Sequence, residues 1–244
     1  MSHNIKHIIA ILLVLCSTSL RAECKYVPED PYVEVNRVSF YFNHMLFALY
    51  IKPATKLYDL LPLPAKEGAN NFIQNIRMAC YTANSVLQGK FTQAGKGVLR
   101  FAVNSTLGIA GLFDVAAEIG LPEKIETMGN TFYKWGWKES SYLVIPLIGP
   151  STIRDGIGIA GDYFINPSAY FPPEYWNPYY VLVLINTNYR AKQIQDLVSI
   201  AGVNDYDFVR SSFLQHRHYE LTGEALSPES SYANDGKDLA GPPD

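Results

Sequence analysis

The sequence predicts a mostly α-helical protein with a single helical domain. Prolines such as Pro53 and Pro62 interrupt the chain at intervals that suit helices of ordinary length. Between such breaks, apolar residues recur at helical spacing, with Phe72 and Ile76 as a clear pair. The chain has neither an alternation of strands with helices nor an internal repeat. Its composition, 48% hydrophobic and 18% charged, excludes a disordered protein.

Prolines define the first helices. The first helix is predicted to begin near Val33 and to end at Lys52, because Pro53 cannot continue a helix. A second helix follows and ends before Pro62. The third begins near Lys66 and continues until a turn signal that includes Gly89.

Caps and turns define the later elements. Gly108 ends a helix that starts at Phe91, and Pro146 interrupts an extended stretch over residues 142–150. Ser151 is the predicted N-cap of the helix that follows. The predicted helices cover residues 33–52, 54–61, 66–87, 91–107, 114–119, 125–133, 152–164, 189–201 and 205–217.

The ends of the chain indicate export and a flexible tail. Residues 1–22 combine a positively charged start with an apolar run too short to span a membrane comfortably, which is typical of a secretory signal peptide. Cleavage after Ala22 and lipidation at Cys16 are both compatible with this segment. Residues 23–222 then form the helical domain. Residues 223–244 lack apolar periodicity and are expected to be disordered.

Two cysteines, Cys24 and Cys80, remain after removal of the signal peptide. In an oxidising compartment they could form a disulfide or stay as two thiols, and the sequence leaves both alternatives open.

Charge and hydropathy limit the class of partner. The net charge of -3 and the pI near 6.0 argue against nucleic acid, since phosphate backbones are bound by clustered lysine and arginine. Beyond the signal peptide, no segment reaches the roughly 18 uninterrupted apolar residues that a spanning helix requires. The shorter apolar runs suit a core or a position at a membrane surface.

The first helix has a polar face. At 100° per residue, the side chains of Asn36, Arg37, Asn43 and His44 fall on one side, and a wider apolar surface covers the other. A buried helix with a satisfied polar cluster would show this pattern. A helix with its apolar side in lipid and its polar side along a water-filled passage would show it too.

The sequence contains little that favours an enzyme. Residues 156–161 match the glycine-rich dinucleotide fingerprint, but no buried strand precedes them. We therefore predict close helix packing there, with Gly156 and Ala160 as a pair of small residues. The three histidines outside the signal peptide form no recognisable metal or triad pattern. We expect no enzymatic activity, metal or cofactor.

Several stretches taken together resemble the MlaA (VacJ) family of outer-membrane phospholipid-transport lipoproteins of Gram-negative bacteria. Their order and spacing agree with the family over roughly residues 30–217. The stretches are DP at 30–31, NR at 36–37, NFIQN at 71–75, LQGK at 87–90, RFAVNSTLG at 100–108, GLFDVA at 111–116, WG at 135–136, YLVIPLIGPSTIRD at 142–155, RA at 190–191, FVR at 208–210 and LQHR at 214–217.

The resemblance implies a mostly α-helical ring in the inner leaflet of the outer membrane, on its periplasmic face, in association with a trimeric porin. Such proteins remove misplaced phospholipid from the outer leaflet through a central polar passage and pass it to a periplasmic lipid-binding carrier protein. This transport maintains lipid asymmetry and makes or breaks no bond.

The resemblance also suggests roles for particular residues. Asn36, Arg37, Asn43 and His44 are candidates to shield a lipid headgroup in the passage, since unshielded polar burial costs several kcal/mol. A gate or hairpin is the corresponding hypothesis for Pro146, Gly149, Pro150, Gly156, Gly158 and Gly161.

Two other functions stay open. The chain could be a structural, porin-associated envelope protein without transport activity, or, less in keeping with its few histidines, a lipid hydrolase.

Overall fold

A computed structural model describes residues 30–200 and 205–224. The helices are α1 (Val33–Leu46), α2 (Lys52–Asp59), α3 (Leu63–Leu87), α4 (Phe91–Thr106), α5 (Val115–Glu118), α6 (Met128–Lys134), α7 (Ile153–Ile165), α8 (Pro173–Ile200) and α9 (Asp205–Thr222). Two short strands, β1 (Tyr142–Ile145) and β2 (Gly149–Thr152), form a hairpin before α7. The prediction of a mostly α-helical single domain is confirmed. The predicted signal peptide, Cys16 and Cys24 lie outside the described residues.

The predicted stop at Pro53 is wrong. The chain continues from α1 through a π-helical turn, Phe47–Ile51, directly into α2, so that Pro53 lies in the first turn of the new helix. The N–H of Lys52 bonds to the carbonyl of Phe47 in this wider turn. The first N–H groups of a helix have no partner within that helix. Proline, which lacks an N–H, therefore costs no hydrogen bond in the first turn.

Other helix bounds also differ from the prediction. α3 begins at Leu63, because Pro64 occupies its first turn instead of preceding it. α6 begins only at Met128, where the hydroxyl of Thr127 accepts a hydrogen bond from the N–H of Asn130. The largest difference is α8, which starts at Pro173 and not near residue 189. Pro178 lies inside this helix.

The stretch predicted to be extended is an antiparallel hairpin. Tyr142 pairs with Thr152, and Ile145 pairs with Gly149. Leu147 at the tip has φ of 70°, and Gly149 has φ of 103°, a value that glycine adopts without strain. The predicted N-cap is one residue off: Ser151 is buried in β2, and the hydroxyl of Thr152 accepts from the N–H of Asp155.

α3 is the central helix of the described structure. It packs along α4 and also contacts α6, α7 and α8. The main cluster of buried apolar side chains is small and lies elsewhere, where Phe40 of α1 meets Tyr142 and Val144 of β1 and Tyr206 of α9. Among the described residues, no helix combines the length and the apolar character needed to cross a membrane.

Candidate functional site

The described residues have an unusual distribution of polarity. Asn36, Asn84 and Thr131 are fully buried, and buried polar side chains outnumber buried apolar ones in the described ranges. Many large apolar side chains are exposed instead, among them Val38, which is 71% exposed. Soluble proteins bury their charged and amide side chains much less often than their aliphatic ones. The outer surface therefore suits an apolar environment, and the interior is polar.

The two predicted amides, Asn36 and Asn43, both bind strand β1 of the hairpin. Asn36 donates to the carbonyl of Tyr142 (3.2 Å) and accepts from the N–H of Val144 (2.8 Å). Asn43 donates to the carbonyl of Ile145 (3.0 Å) and accepts from the N–H of Leu147 (2.7 Å).

The spacing of these bonds follows from the geometry of the two elements. Seven residues of helix separate Asn36 from Asn43, a rise of about 10 Å. Three residues of strand separate the two bonded pairs on the hairpin, which is also about 10 Å. The two amides therefore link the helix to the hairpin by hydrogen bonds at two successive positions.

The two predicted cations do not join the amides. Arg37 is about half exposed and lies 4.0 Å from Asp207, with its guanidinium 5.4 Å from the ring centre of Tyr206. His44 is exposed and its ring lies 4.5 Å from that of Phe40. The structure thus brings Asn36 and Asn43 together at the hairpin and leaves Arg37 and His44 at the surface. A role of these four residues in a passage stays a prediction.

The six predicted gate residues fall into two groups. Pro146, Gly149 and Pro150 lie in the hairpin. The glycines of α7 lie elsewhere: a Cβ on Gly158 would stand 2.5 Å from the backbone nitrogen of Gly129 in α6, and one on Gly161 would stand 3.0 Å from Met128. A Cβ on Gly156 would meet only the side chain of Ile145, at 3.1 Å.

The close helix packing predicted for the glycine-rich segment is present, but residues other than the predicted pair make the contact. Gly158 and Gly161 make the close contact with α6, whereas Ala160, the predicted partner of Gly156, is exposed. Small residues three positions apart share one helix face.

Two carboxylates on α7 have opposite surroundings. Burial opposes ionisation of Asp155, but a bidentate ion pair with Arg217 (2.7 and 2.8 Å) and the charge of Arg154 lower its pKa overall. Asp162 has no such cation beside it among the described side chains, and burial raises its pKa. It accepts from Asn84 Nδ2 (2.8 Å) and from the N–H of Met128 (2.9 Å) at the start of α6.

Cys80 is the one of the two remaining cysteines that lies in the described structure, and it contacts Asp162. It is buried as a thiol, and its Sγ lies 3.2 Å from Asp162 Oδ1. Burial raises the pKa of the Cys80 thiol, so that it stays protonated at neutral pH. Cys24 lies outside the described residues, so a disulfide with Cys24 and two separate thiols stay the two alternatives.

A set of polar side chains around the central helix α3 was not predicted from the sequence. Burial raises the pKa of Tyr81 on α3 to about 12 and also raises the pKa values of Tyr179 and Glu123. The positive charge of Arg77 acts on all three groups and opposes the rise in each pKa. Gln74 accepts from the Tyr81 hydroxyl (3.2 Å).

The signal for this group was present in the sequence. Gln74, Arg77 and Tyr81 are separated by three and four residues. Residues with this spacing lie on the same face of a helix, here as a polar stripe on α3. The projection that revealed the polar face of α1 would have revealed this stripe too.

Two cavities lie along α3. The first, of about 480 Å³, is lined by aromatic and aliphatic side chains of α3, α8 and the segment before α8, namely Phe72, Phe171, Pro172, Tyr175, Pro178, Tyr179 and Leu182. The second, of about 230 Å³, lies between α3 and α4 and has a polar lining that includes Tyr81. Arg77 acts electrostatically on a tyrosine from each cavity, Tyr179 and Tyr81. Among the described residues, no group of three histidine, cysteine or acidic side chains could hold a metal ion.

Comparisons with known proteins agree on one family. The profile of the MlaA lipoprotein family matches residues 28–220. The Intermembrane phospholipid transport system lipoprotein MlaA of Escherichia coli is 28% identical over 231 residues, covering 90% of this chain and 88% of that protein. An uncharacterised protein of Rickettsia bellii is 32% identical, covering 86% and 91%. A structure solved in work on the structural basis for maintenance of bacterial outer membrane lipid asymmetry has a TM-score of 0.69 and 25% identity, covering 80% of this chain and all of that one.

Proposed function

The chain belongs to the MlaA lipoprotein family, and from that premise we propose that it transports phospholipid in the outer membrane. In this proposal it forms a ring in the inner leaflet, on the periplasmic side. It removes misplaced phospholipid from the outer leaflet through a central polar passage and thereby maintains lipid asymmetry. The work consists of binding and release, without chemistry on the lipid.

The inverted polarity of the described residues carries this proposal. On α4, exposed side chains such as Phe91, Val98 and Phe101 face outward, while Arg100 and Asn104 of the same helix are buried. Water would penalise such an outer surface, but hydrocarbon would not. A buried charged group needs partners, and Arg100 finds them in both oxygens of Asp114 (3.0 Å each).

The interior offers surroundings for both parts of a phospholipid. The apolar cavity between α3 and α8 suits an acyl chain, and the stripe of Gln74, Arg77 and Tyr81 supplies polar groups to a headgroup. A phospholipid crosses a membrane slowly because its headgroup must leave water. A wetted polar path past Arg77 would lower that cost.

The partners follow from the same premise. We propose that the protein sits beside a trimeric porin and passes phospholipid to a periplasmic lipid-binding carrier protein. The alternative is a structural, porin-associated envelope protein that moves no lipid.

Purification in a mild detergent, followed by mass spectrometry of the bound lipid, tests the binding step. We expect phospholipid to copurify with the protein. Transport is then measured in Gram-negative cells that lack their own member of the family, by labelling surface-exposed phosphatidylethanolamine with a membrane-impermeant amine reagent. Cells that produce this protein should show less labelling.

Arg77→Gln should reduce the effect on labelling by about tenfold, since a charge-assisted hydrogen bond to the lipid phosphate is lost. Lys56→Gln removes the same charge from an exposed site on α2 and serves as the control. Unchanged labelling with the wild-type protein, together with normal porin association, would instead favour the structural alternative.

A further inference from the structure

The polar cavity between α3 and α4 contains a concentration of positive charge. Its lining includes Lys96, Arg100 and Lys124, with the hydroxyls of Thr82, Ser85 and Thr92 nearby. Lys96 and Lys124 are exposed, so their ammonium groups can turn toward the cavity or toward solvent. Nothing in the transport path described above accounts for this arrangement.

Arg100 is the fixed member of the lining. It is only 4% exposed, and its terminal nitrogens bond to Asp114 and to the carbonyl of Leu121. Its Nε is buried and has no hydrogen-bond partner in the described structure. A buried N–H of a guanidinium without a partner is costly, and an anion that reached it from the cavity would satisfy it.

Nearby carboxylates do not cancel the positive charge. Glu126 is already bound by Lys90 (2.6 Å) and Gln93 (3.0 Å), so its charge is offset by a lysine outside the cavity lining. Asp114 forms an ion pair with Arg100. Glu123 lies between two lining residues in the sequence; burial raises its pKa, and the charge of Arg100 opposes that rise. Even with Glu123 ionised, Lys96 and Lys124 together leave the lining with a net positive charge.

The size of the cavity restricts its ligand. Sites for drug-sized molecules occupy roughly 300–1,000 Å³, and this cavity has about 230 Å³. A whole phospholipid does not fit, whereas a phosphate with its immediate substituents does. The backbone at Gly97 forms part of the wall, and a Cβ there would collide with Thr82 Oγ1. The absence of a side chain thus lets α4 approach α3 closely at this wall of the cavity.

We propose that this cavity binds the phosphate of a phospholipid headgroup, held by Lys96 and Lys124 above the fixed Arg100. The site rests on the proposed transport function and gives it a headgroup preference. Phosphatidylglycerol has one negative charge and no ammonium, whereas the ammonium of phosphatidylethanolamine would approach the same lysines. Phosphatidylglycerol therefore binds more tightly.

The test uses the full-length protein in a non-ionic detergent, with short-chain dihexanoyl lipids as probes. Binding is measured by calorimetry for the phosphatidylglycerol, the phosphatidylethanolamine and the uncharged diacylglycerol, and for inorganic phosphate alone. The variant is Lys96→Gln/Lys124→Gln. The control is Lys56→Gln/Lys134→Gln, which changes the net charge equally at two exposed sites away from the cavity.

The expected result is a loss of affinity for phosphatidylglycerol of about tenfold or more in the cavity variant and less than about twofold in the control. Diacylglycerol should bind equally to all three proteins. Equal affinity of the cavity variant and the control for phosphatidylglycerol would overturn the site. Binding of inorganic phosphate as tight as that of the lipid would overturn the assignment to a headgroup.

The outcomes for the two proposals are separable. If the wild-type protein binds no phospholipid at all, the transport function fails. If it binds and moves phospholipid equally well with and without Lys96 and Lys124, only the headgroup site fails.

Discussion

The two halves of the segment from residue 142 to residue 161 are attached to the molecule in different ways. The hairpin is held to α1 by the amides of Asn36 and Asn43, and its tip is free of contacts that bury it, with Leu147 71% exposed. The following helix, α7, packs against α6 so closely that Gly158 leaves no room for a methyl group beside Gly129.

This difference separates two properties that glycine and proline confer on a sequence. In the hairpin they permit a tight turn with positive φ at Gly149. In α7 they permit contact between backbones. If part of this segment gates a passage, the tip of the hairpin is the better candidate, because Leu147 is exposed, whereas Tyr142 and Val144 lie in the buried apolar cluster and α7 is packed against α6.

The largest effect is expected at the carboxylates that fix α7. Asp155→Asn should lower the free energy of unfolding by about 3 kcal/mol at pH 7, since it breaks the bidentate ion pair with the buried Arg217 and leaves only the more exposed Glu220 as a charged partner. Asp162→Asn should cost much less, because an amide oxygen still accepts from the N–H of Met128. Chemical unfolding in detergent measures both.

The pH dependence of these two variants should have opposite signs. The pKa of Asp155 is lowered in the fold, so its stabilisation is present above the unfolded value of 3.8 and is lost as the pH falls through the lower folded value. The pKa of Asp162 is raised, so the wild-type protein loses stability as the pH rises from 3.8 through the folded value. The stability of Asp162→Asn should therefore increase relative to that of the wild type over this pH range. Stability changes of the same sign in Asp155→Asn and Asp162→Asn would contradict the comparison.

The next effect concerns the contact between α6 and α7. Gly158→Ala should destabilise the protein by about 2 kcal/mol, because overpacking against the backbone of Gly129 exceeds the gain in helix propensity. Gly156→Ala is the matched control on the same helix, since its new methyl group meets only the flexible end of Ile145. Thermal unfolding should rank Gly156→Ala at or above the wild type. The reverse ranking would place the tight contact elsewhere.

The bonds of the two amides Asn36 and Asn43 to the hairpin should be unequal in strength, and neither should exceed the helix contact. Asn36→Leu should cost about 2 kcal/mol, since it strands buried backbone groups of Tyr142 and Val144. Asn43→Leu should cost about 1 kcal/mol, because water can reach the freed N–H of exposed Leu147. Hydrogen exchange at the amides of Val144 and Leu147 measures the release of the hairpin.

Lipid transport distinguishes a structural role of Asn43 from a role in passage. We expect Asn43→Leu to obstruct transport and to leave membrane association intact. A joint loss of both would mark Asn43 as a packing residue.

The smallest effect on folding is expected at the tip of the hairpin. Leu147→Ser should change the free energy of unfolding by less than about 0.5 kcal/mol, because the side chain is exposed. It should weaken binding to phospholipid vesicles, however, if the tip contacts lipid. A flotation assay with Leu57→Ser, at an equally exposed leucine of α2, shows whether the effect belongs to the tip.

Local signals determined most of the helices. The predicted and observed bounds of α4 differ by one residue, Phe91–Leu107 against Phe91–Thr106, because a turn at each end is encoded nearby. The start of α9 at Asp205 was also predicted. Proline was the least reliable signal: Pro53, Pro64 and Pro178 all lie inside helices, since a first turn needs no N–H and neighbouring structure can offset the loss of one bond.

The sequence by itself determined the helical class, the polar face of α1 and the likeness to one family, because periodicity and motif spacing are properties of neighbouring residues. Only the tertiary structure decided what the polar face binds. Asn36 and Asn43 meet backbone groups more than a hundred positions away, on a strand whose register matches the rise of the helix. In the same way, Gly158 acquired its role only when Gly129 was brought against it. A hydrogen bond or a backbone contact depends on both partners, and the chain brings distant partners together only when it folds.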